Sequence, residues 1–189
     1  MRLYRQVPIP ERVVLDLCGG TGSWSDPYAD AGYNVRIIDT RSGDDIRLLE
    51  PQDNVWGILA APPCTDLSGS GARWWKEKGD QALLDALAVA DACMRIVTIH
   101  KPRWWALENP VGRLRTYYGD PRLIFDPCDY GDPYTKKTLV WGMFSIPEMN
   151  WVEPVEGSKM HLMPPSDDRA MLRSITPPGF SKAFFEANP

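Results

Sequence analysis

The stretch VVLDLCGGTG, residues 13–22, constrains this chain more than any other part of it. An apolar run that ends beside an acid and then breaks into a glycine cluster describes a buried parallel strand entering a tight turn. Two further runs repeat the pattern: Val35–Ile38 leads into Asp39, and Trp56–Ala60 runs into Pro62 and Pro63. Between the first two, Asp26–Ala31 reads as a helix closed by Gly32. In Asp80–His100, Leu83, Leu84, Leu87, Met94, Ile96 and Val97 share one broad helical face, and Pro102 stops the helix. Trp104–Leu107 then reads as a strand ending at Glu108. Strand, helix and strand form a crossover unit, so the class is α/β with a mostly parallel sheet and helices on both faces. Leu123–Phe125 and Thr138–Trp141 are expected as added edge strands. Ser145–Pro178 shows no period, and a short helix is expected over Ser181–Ala187.

Length sets the scale: 189 residues, 43% of them hydrophobic and 24% charged, make one domain with a sizeable core rather than two. The 18 prolines belong in loops. No apolar run approaches the roughly 18 residues of a membrane span, and the opening MRLYRQVPIPER has no apolar signal core, which predicts a soluble cytoplasmic protein. Cys18, Cys64, Cys93 and Cys128 form no CxxC pair and the chain has two histidines, which speaks against a metal site or a disulfide framework. Net charge is −4, so contact with nucleic acid has to come from a local patch.

Four strands each deliver a polar or reactive residue near their carboxyl ends: Asp16, Asp39, Cys64 and Glu108. In open parallel sheets ligands bind at that edge. Gly19, Gly20 and Gly22 let the backbone turn sharply and approach a ligand, and Asp39 is placed to accept ribose hydroxyls of a nucleoside cofactor. A plain structural turn is the alternative. GxGxxG is absent, which disfavours a nicotinamide enzyme. Asp45 is either a second cofactor contact or a solvated turn acid. Pro62 and Pro63 fix the turn before Cys64, and a thiol held at a strand end is a nucleophile once donors or positive charge favour its thiolate.

On these residues the chain resembles the DNA cytosine methyltransferases that modify carbon 5 of the base. DLCGGTG is similar to the family's Asp-Leu-Phe-x-Gly-x-Gly cofactor motif, PPCTDLS to its Pro-Cys-Gln-x-Phe-Ser motif, and ENP at 108–110 to Glu-Asn-Val. GDPYTKKTLVWG, residues 131–142, more loosely resembles its Gln-x-Arg-x-Arg segment. The likeness covers roughly residues 12–142 and implies a Rossmann-like S-adenosylmethionine-dependent methyltransferase fold. It implies a catalytic set of Cys64, Glu108, Asn109 and Lys136. Cys64 would add to carbon 6 of cytosine, Glu108 would hold the base at N3 and N4, and Asn109 would fix Glu108. The S-adenosyl-L-methionine site would be lined by Asp16, Cys18, Gly19, Gly20, Thr21, Gly22, Asp39, Asp45, Ile46 and Pro62.

The chain departs from the family pattern in three places. Tyr134, Lys136 and Thr138 stand at the Gln, Arg and Arg positions, leaving one positive charge for the base oxygen or a phosphate. Cys18 replaces a phenylalanine. Only 47 residues follow Gly142, too few for the usual target-recognition domain. A catalytic domain over residues 1–144 with an extension over 145–189 packed on it is expected, a size that suits a phage or mobile-element genome.

The loop SGSGARWWKEKG, residues 68–79, offers Ser68, Arg73, Trp74 and Lys76 to a substrate, closing on glycine hinges over a flipped base. An ordinary surface loop pinned by tryptophans is the alternative. Residues 101–137 carry seven basic and five acidic side chains against six and nine in the first 60, so the positive bias lies on the catalytic half. Trp104 and Trp105 read as strand core and His100 as a helix cap. DNA is the expected partner. RNA or a free nucleotide, or a catalytically inactive cofactor-binding partner subunit, are the competing readings.

Overall fold

A strand buried at every position needs a partner on each side and cover on each face, and Val13–Leu17 (β1) has all four. In the computed structural model, which describes residues 7–166 and 168–189, β1 pairs in parallel with Asn34–Ile38 (β2) and Val55–Ala60 (β3). β3 pairs in parallel with Trp104–Pro110 (β4). Thr138–Met143 (β6) lies antiparallel between β4 and Leu123–Phe125 (β5), giving the order β2-β1-β3-β4-β6-β5. The fold is Rossmann-like α/β, with helices on both faces of a mostly parallel sheet. The opening residues MRLYRQ lie outside the described part of the chain.

One face of the sheet carries the helix Trp75–His100 (α2) and Leu114–Tyr118 (α3), which bury Leu15, Leu17, Ile58, Ile96 and Leu107 together. On the other, Asp26–Asp30 (α1) and Pro178–Ala187 (α6) close an aromatic layer of Trp24, Tyr28, Trp104, Phe125, Phe180 and Phe184. Phe125 and Phe180 stack at 4.0 Å. Trp104 reaches over Gly57 of the neighbouring strand, where any Cβ would collide with the indole.

Four expectations need correction. β6 is not an edge strand: Thr138–Trp141 are all buried, and such a run is stable only with a ladder on either side. β4 does not stop at Leu107, because β6 pairs with Glu108, Asn109 and Pro110 and extends the strand past its last contact with β3. The region 145–178 is not wholly irregular; it contains Lys159–Leu162 (α4) and Arg169–Ser174 (α5), too short to show a period. The long helix begins before Asp80, at Trp75, and is broken at Gly79, whose φ of 71° no helix accommodates.

The histidine expected as a cap is one. Gln52 N–H donates to His100 Nε2 at 2.8 Å, so the ring proton sits on Nδ1 and is donated to the Ile96 carbonyl. No helix among the described residues is long and apolar enough to cross a membrane.

Candidate active site

Because β1 to β4 run parallel, their carboxyl ends meet along one edge, and the residues singled out there fall into two neighbouring groups. In the first, the turn Pro62-Pro63-Cys64 is tied to β4 by Asn109, whose Nδ2 donates to the Pro62 carbonyl at 2.9 Å. Asn109 is 1% exposed, so this bond is shielded from water and fixes the turn relative to Glu108, the preceding residue. The Cys64 carbonyl accepts from the N–H groups of Leu67 and Ser68 and curls the chain back beneath the exposed Cys64.

Although Cys64 reaches solvent, the protein crowded around its sulfur and the charge of Glu108 push the thiol up, while Lys136 and Arg173 pull it down. Glu108 is itself raised by burial, against the opposing pull of Lys136. Both groups are thus held toward their neutral forms, and the charge of either opposes ionisation of the other. Of the three residues at the loosely matched motif, only Lys136 reaches this group. Tyr134 is buried beneath the Lys159 ammonium, 4.1 Å from its ring, and Thr138 is buried with its hydroxyl donating to the Lys136 carbonyl.

The second group is the glycine loop after β1. Cys18, Gly20 and Gly22 all have positive φ, at 58°, 55° and 79°. Gly19 lies so close over Asp16 that a Cβ would sit 2.4 Å from its carboxyl carbon. Asp16 is therefore beneath the loop, not on its rim: Oδ2 accepts from Ser25 Oγ at 2.6 Å, and Oδ1 has no partner. Burial raises its pKa to about 6. Asp39 accepts from the Gly20 and Arg41 N–H groups and so couples the end of β2 to the loop. Thr21 is exposed at the crest. The Cys18 thiol, which stands where the family motif has a phenylalanine, lies against Cys93 of α2. Asp45 is engaged by Arg47 at 2.6 Å, which lowers its pKa to about 2, and Ile46 is buried against α2.

The loop 68–79 is not flexible coil on glycine hinges. Gly69–Trp74 is a 3-10 helix, and Gly69 and Gly71 serve close packing against the Val111 and Thr65 carbonyls. Ser68 is buried and bridges to Gly112, and Arg113 lies 3.9 Å over the Trp75 ring. Arg73, Trp74 and Lys76 remain exposed, and Lys78 pairs with Asp66. Arg173 is the residue that sequence reasoning missed. It lies in a segment with no motif, and the return of the chain brings its carbonyl to Lys136 Nζ at 2.8 Å, with its charge acting on Cys64.

The architecture is a Rossmann-like sheet with a glycine loop after β1 and a thiol after β3. No known protein-family profile matches the chain. It is 25% identical over 168 residues to the type II methyltransferase M.DdeI of Desulfomicrobium norvegicum, an alignment covering 67% of this chain and 39% of that protein. Among solved structures it is similar to an E. coli protein described as a DNA modification methyltransferase encoded within a prophage, at 19% identity and a TM-score of 0.47, covering 83% of this chain and 49% of that one. It is also similar to a variant of Spodoptera frugiperda DNMT2, at 17% identity and a TM-score of 0.42, covering 68% and 48%. The chain spans less than half the length of each of these proteins.

Proposed function

We propose that this protein is an S-adenosylmethionine-dependent methyltransferase that modifies carbon 5 of cytosine in DNA through a covalent adduct of Cys64. The observation that carries the proposal is the Asn109 to Pro62 bond, which couples a thiol at one strand end to a raised carboxyl at the next. The similarity to the type II methyltransferase M.DdeI supports methyl transfer as the reaction. The catalytic unit in this reading is residues 1–144, with 145–189 as an extension packed on it.

Carbon 5 of cytosine is not nucleophilic until carbon 6 is saturated. The Cys64 thiolate adds to carbon 6 while protonated Glu108 donates to N3, so electron density reaches carbon 5 without charge separation on the ring. When bound, S-adenosylmethionine supplies the electrophilic methyl group that carbon 5 takes. The carbon 5 proton then passes to water as the Cys64 sulfur departs as a thiolate, and N3 returns its proton to Glu108, which restores the aromatic base and the acid. Asn109 keeps Glu108 and the Cys64 turn in register, and Lys136 offers a cation to the base oxygen or a flanking phosphate.

The glycine loop fits the cofactor by its own chemistry. It turns through three positive-φ residues over a buried acid with an unpartnered oxygen, and Asp39 retains acceptor capacity beside Gly20. Asp39, the loop backbone from Cys18 to Gly22, and the segment at Asp45 and Ile46 would hold it.

Nucleoside mass spectrometry of DNA and RNA from cells expressing the protein, beside Cys64→Ser, tests the proposal. The expected result is 5-methylcytosine in DNA that disappears in the variant. A 5-fluorocytosine oligonucleotide should trap the parent protein, because fluorine blocks loss of the carbon 5 substituent. Undiminished methylation by Cys64→Ser would refute the nucleophile, and modification confined to RNA would move the substrate.

A further inference from the structure

The turn that carries Cys64 runs into a loop that keeps returning to it. Gly71 packs against the Thr65 carbonyl, where a Cβ would fall 3.3 Å from the oxygen, and Lys78 pairs with Asp66. The near side of the loop is fastened to the chain just after β4: Gly69 N–H donates to the Val111 carbonyl at 2.8 Å, and Arg113 N–H donates to the Leu67 carbonyl at 2.7 Å. Arg73 and Trp74 form the crest between these anchors and are held beside the thiol turn. Trp74 is nevertheless 48% exposed, and the Arg73 guanidinium lies 5.0 Å from its ring centroid. Residues 68–79 carry three cations, Arg73, Lys76 and Lys78, against one acid, Glu77. Lys78 is spent on Asp66, whereas Arg73 and Lys76 are exposed and have no ion pair among the described residues.

We propose that Arg73 and Trp74 form a fixed stacking platform for a base flanking the target cytosine, and that the substrate is an unpaired DNA strand. The inference rests on Cys64 acting on cytosine in DNA. Bases in a duplex stack on one another and present only their edges in the grooves, so an indole on a pinned support meets no base face there. In a single strand every base has a free face for an aromatic ring, and the phosphates between bases lie open to cations such as Arg73 and Lys76. The guanidinium beside the ring adds its charge to the stack. A strand already unpaired also spares the cost of extruding the target base, which a loop that closes over a duplex would have to offset.

Binding of a fluorescently labelled DNA oligonucleotide of about 12 nucleotides to the full chain, read by anisotropy, tests this with the strand presented alone and in duplex. The single strand should bind about tenfold or more tighter than the duplex, a comparison that needs no variant to fold. Trp74→Ala should weaken single-strand binding about 5- to 150-fold and leave its salt dependence unchanged, while Trp74→Phe should keep most of the affinity. Arg73→Gln should instead reduce the slope of log affinity against log salt by about 0.7. A duplex bound as tightly as the single strand, a Trp74→Ala protein equal to the parent, or a phenylalanine variant as weak as the alanine one would each overturn the proposal. A parent protein that binds neither form removes DNA as the substrate and the platform with it, whereas DNA binding indifferent to Trp74 overturns the platform alone. Trp74-dependent binding in a protein unable to methylate cytosine would retire the methyl-transfer reading and leave the platform standing.

Discussion

Replacing Asp16 with asparagine should stabilise the protein at neutral pH and leave it nearly unchanged in acid. The carboxyl is 1% exposed, one of its oxygens has no partner, and its pKa is raised from 3.8 to about 6. The folded protein therefore keeps a proton that the unfolded chain has already released. Between those two values the native state binds more protons, so its stability falls as pH rises, and the loss is complete above about pH 6. At about 1.4 kcal/mol for each tenfold change in proton affinity, the charged carboxylate costs about 3 kcal/mol at neutral pH. Asparagine keeps an oxygen for Ser25 and carries no charge. Urea unfolding of both proteins from about pH 4 to about pH 7 should give a stability difference growing by about 3 kcal/mol in favour of Asp16→Asn. A difference that stays flat over that range, or one that favours the parent as pH rises, would refute the reasoning. Because Gly19 of the glycine loop lies directly over the Asp16 carboxyl, the variant should also bind S-adenosylhomocysteine less well.

Three further outcomes can be checked. S-adenosylhomocysteine at about 100 times its dissociation constant should add roughly 2.7 kcal/mol, and Asp39→Ala should diminish the thermal shift. Gly112→Ala should destabilise by about 1–3 kcal/mol or more in urea, since its Cβ would fall 1.9 Å from the Leu67 carbonyl oxygen and force the 68–79 loop off the end of β4. Phe180→Ala should cost about 3–5 kcal/mol by the same measure, because the ring is fully buried among Trp24, Phe125, Tyr130 and Phe184.

The strand ends were legible because each carries its own punctuation: glycines after Leu17, Asp39 after Ile38, two prolines after Ala60. Local chemistry of that kind is written within a few residues, and it located Cys64, Glu108 and the glycine loop. Pairing is written across the chain, and there the reading fell short. Thr138–Trp141 looks the same as an edge strand or an inserted one, and only its neighbours decide. Asp16 looked like a rim residue because β1 ends near it, yet the alternation of the strand turns it inward beneath Gly19. Arg173 was invisible for the same reason: its importance comes from where α5 lands, set by a 2.8 Å bond to a lysine in another part of the sequence.

Asn188 gives the region after β6 a property beyond packing. Its amide accepts from Ser145 N–H at 2.7 Å and donates to the Ser145 carbonyl at 3.0 Å, so the stretch from 145 to 188 is a ring closed by hydrogen bonds at its neck. For such a ring, closure entropy grows only with the logarithm of contour length, about 0.6 kcal/mol for each doubling. Residues 163–166 lie between α4 and α5, and Pro164, Pro165 and Ser166 are exposed. New chain can enter there at little thermodynamic expense, which makes this arc the natural port through which a protein of this design could acquire a reading module without rebuilding its sheet.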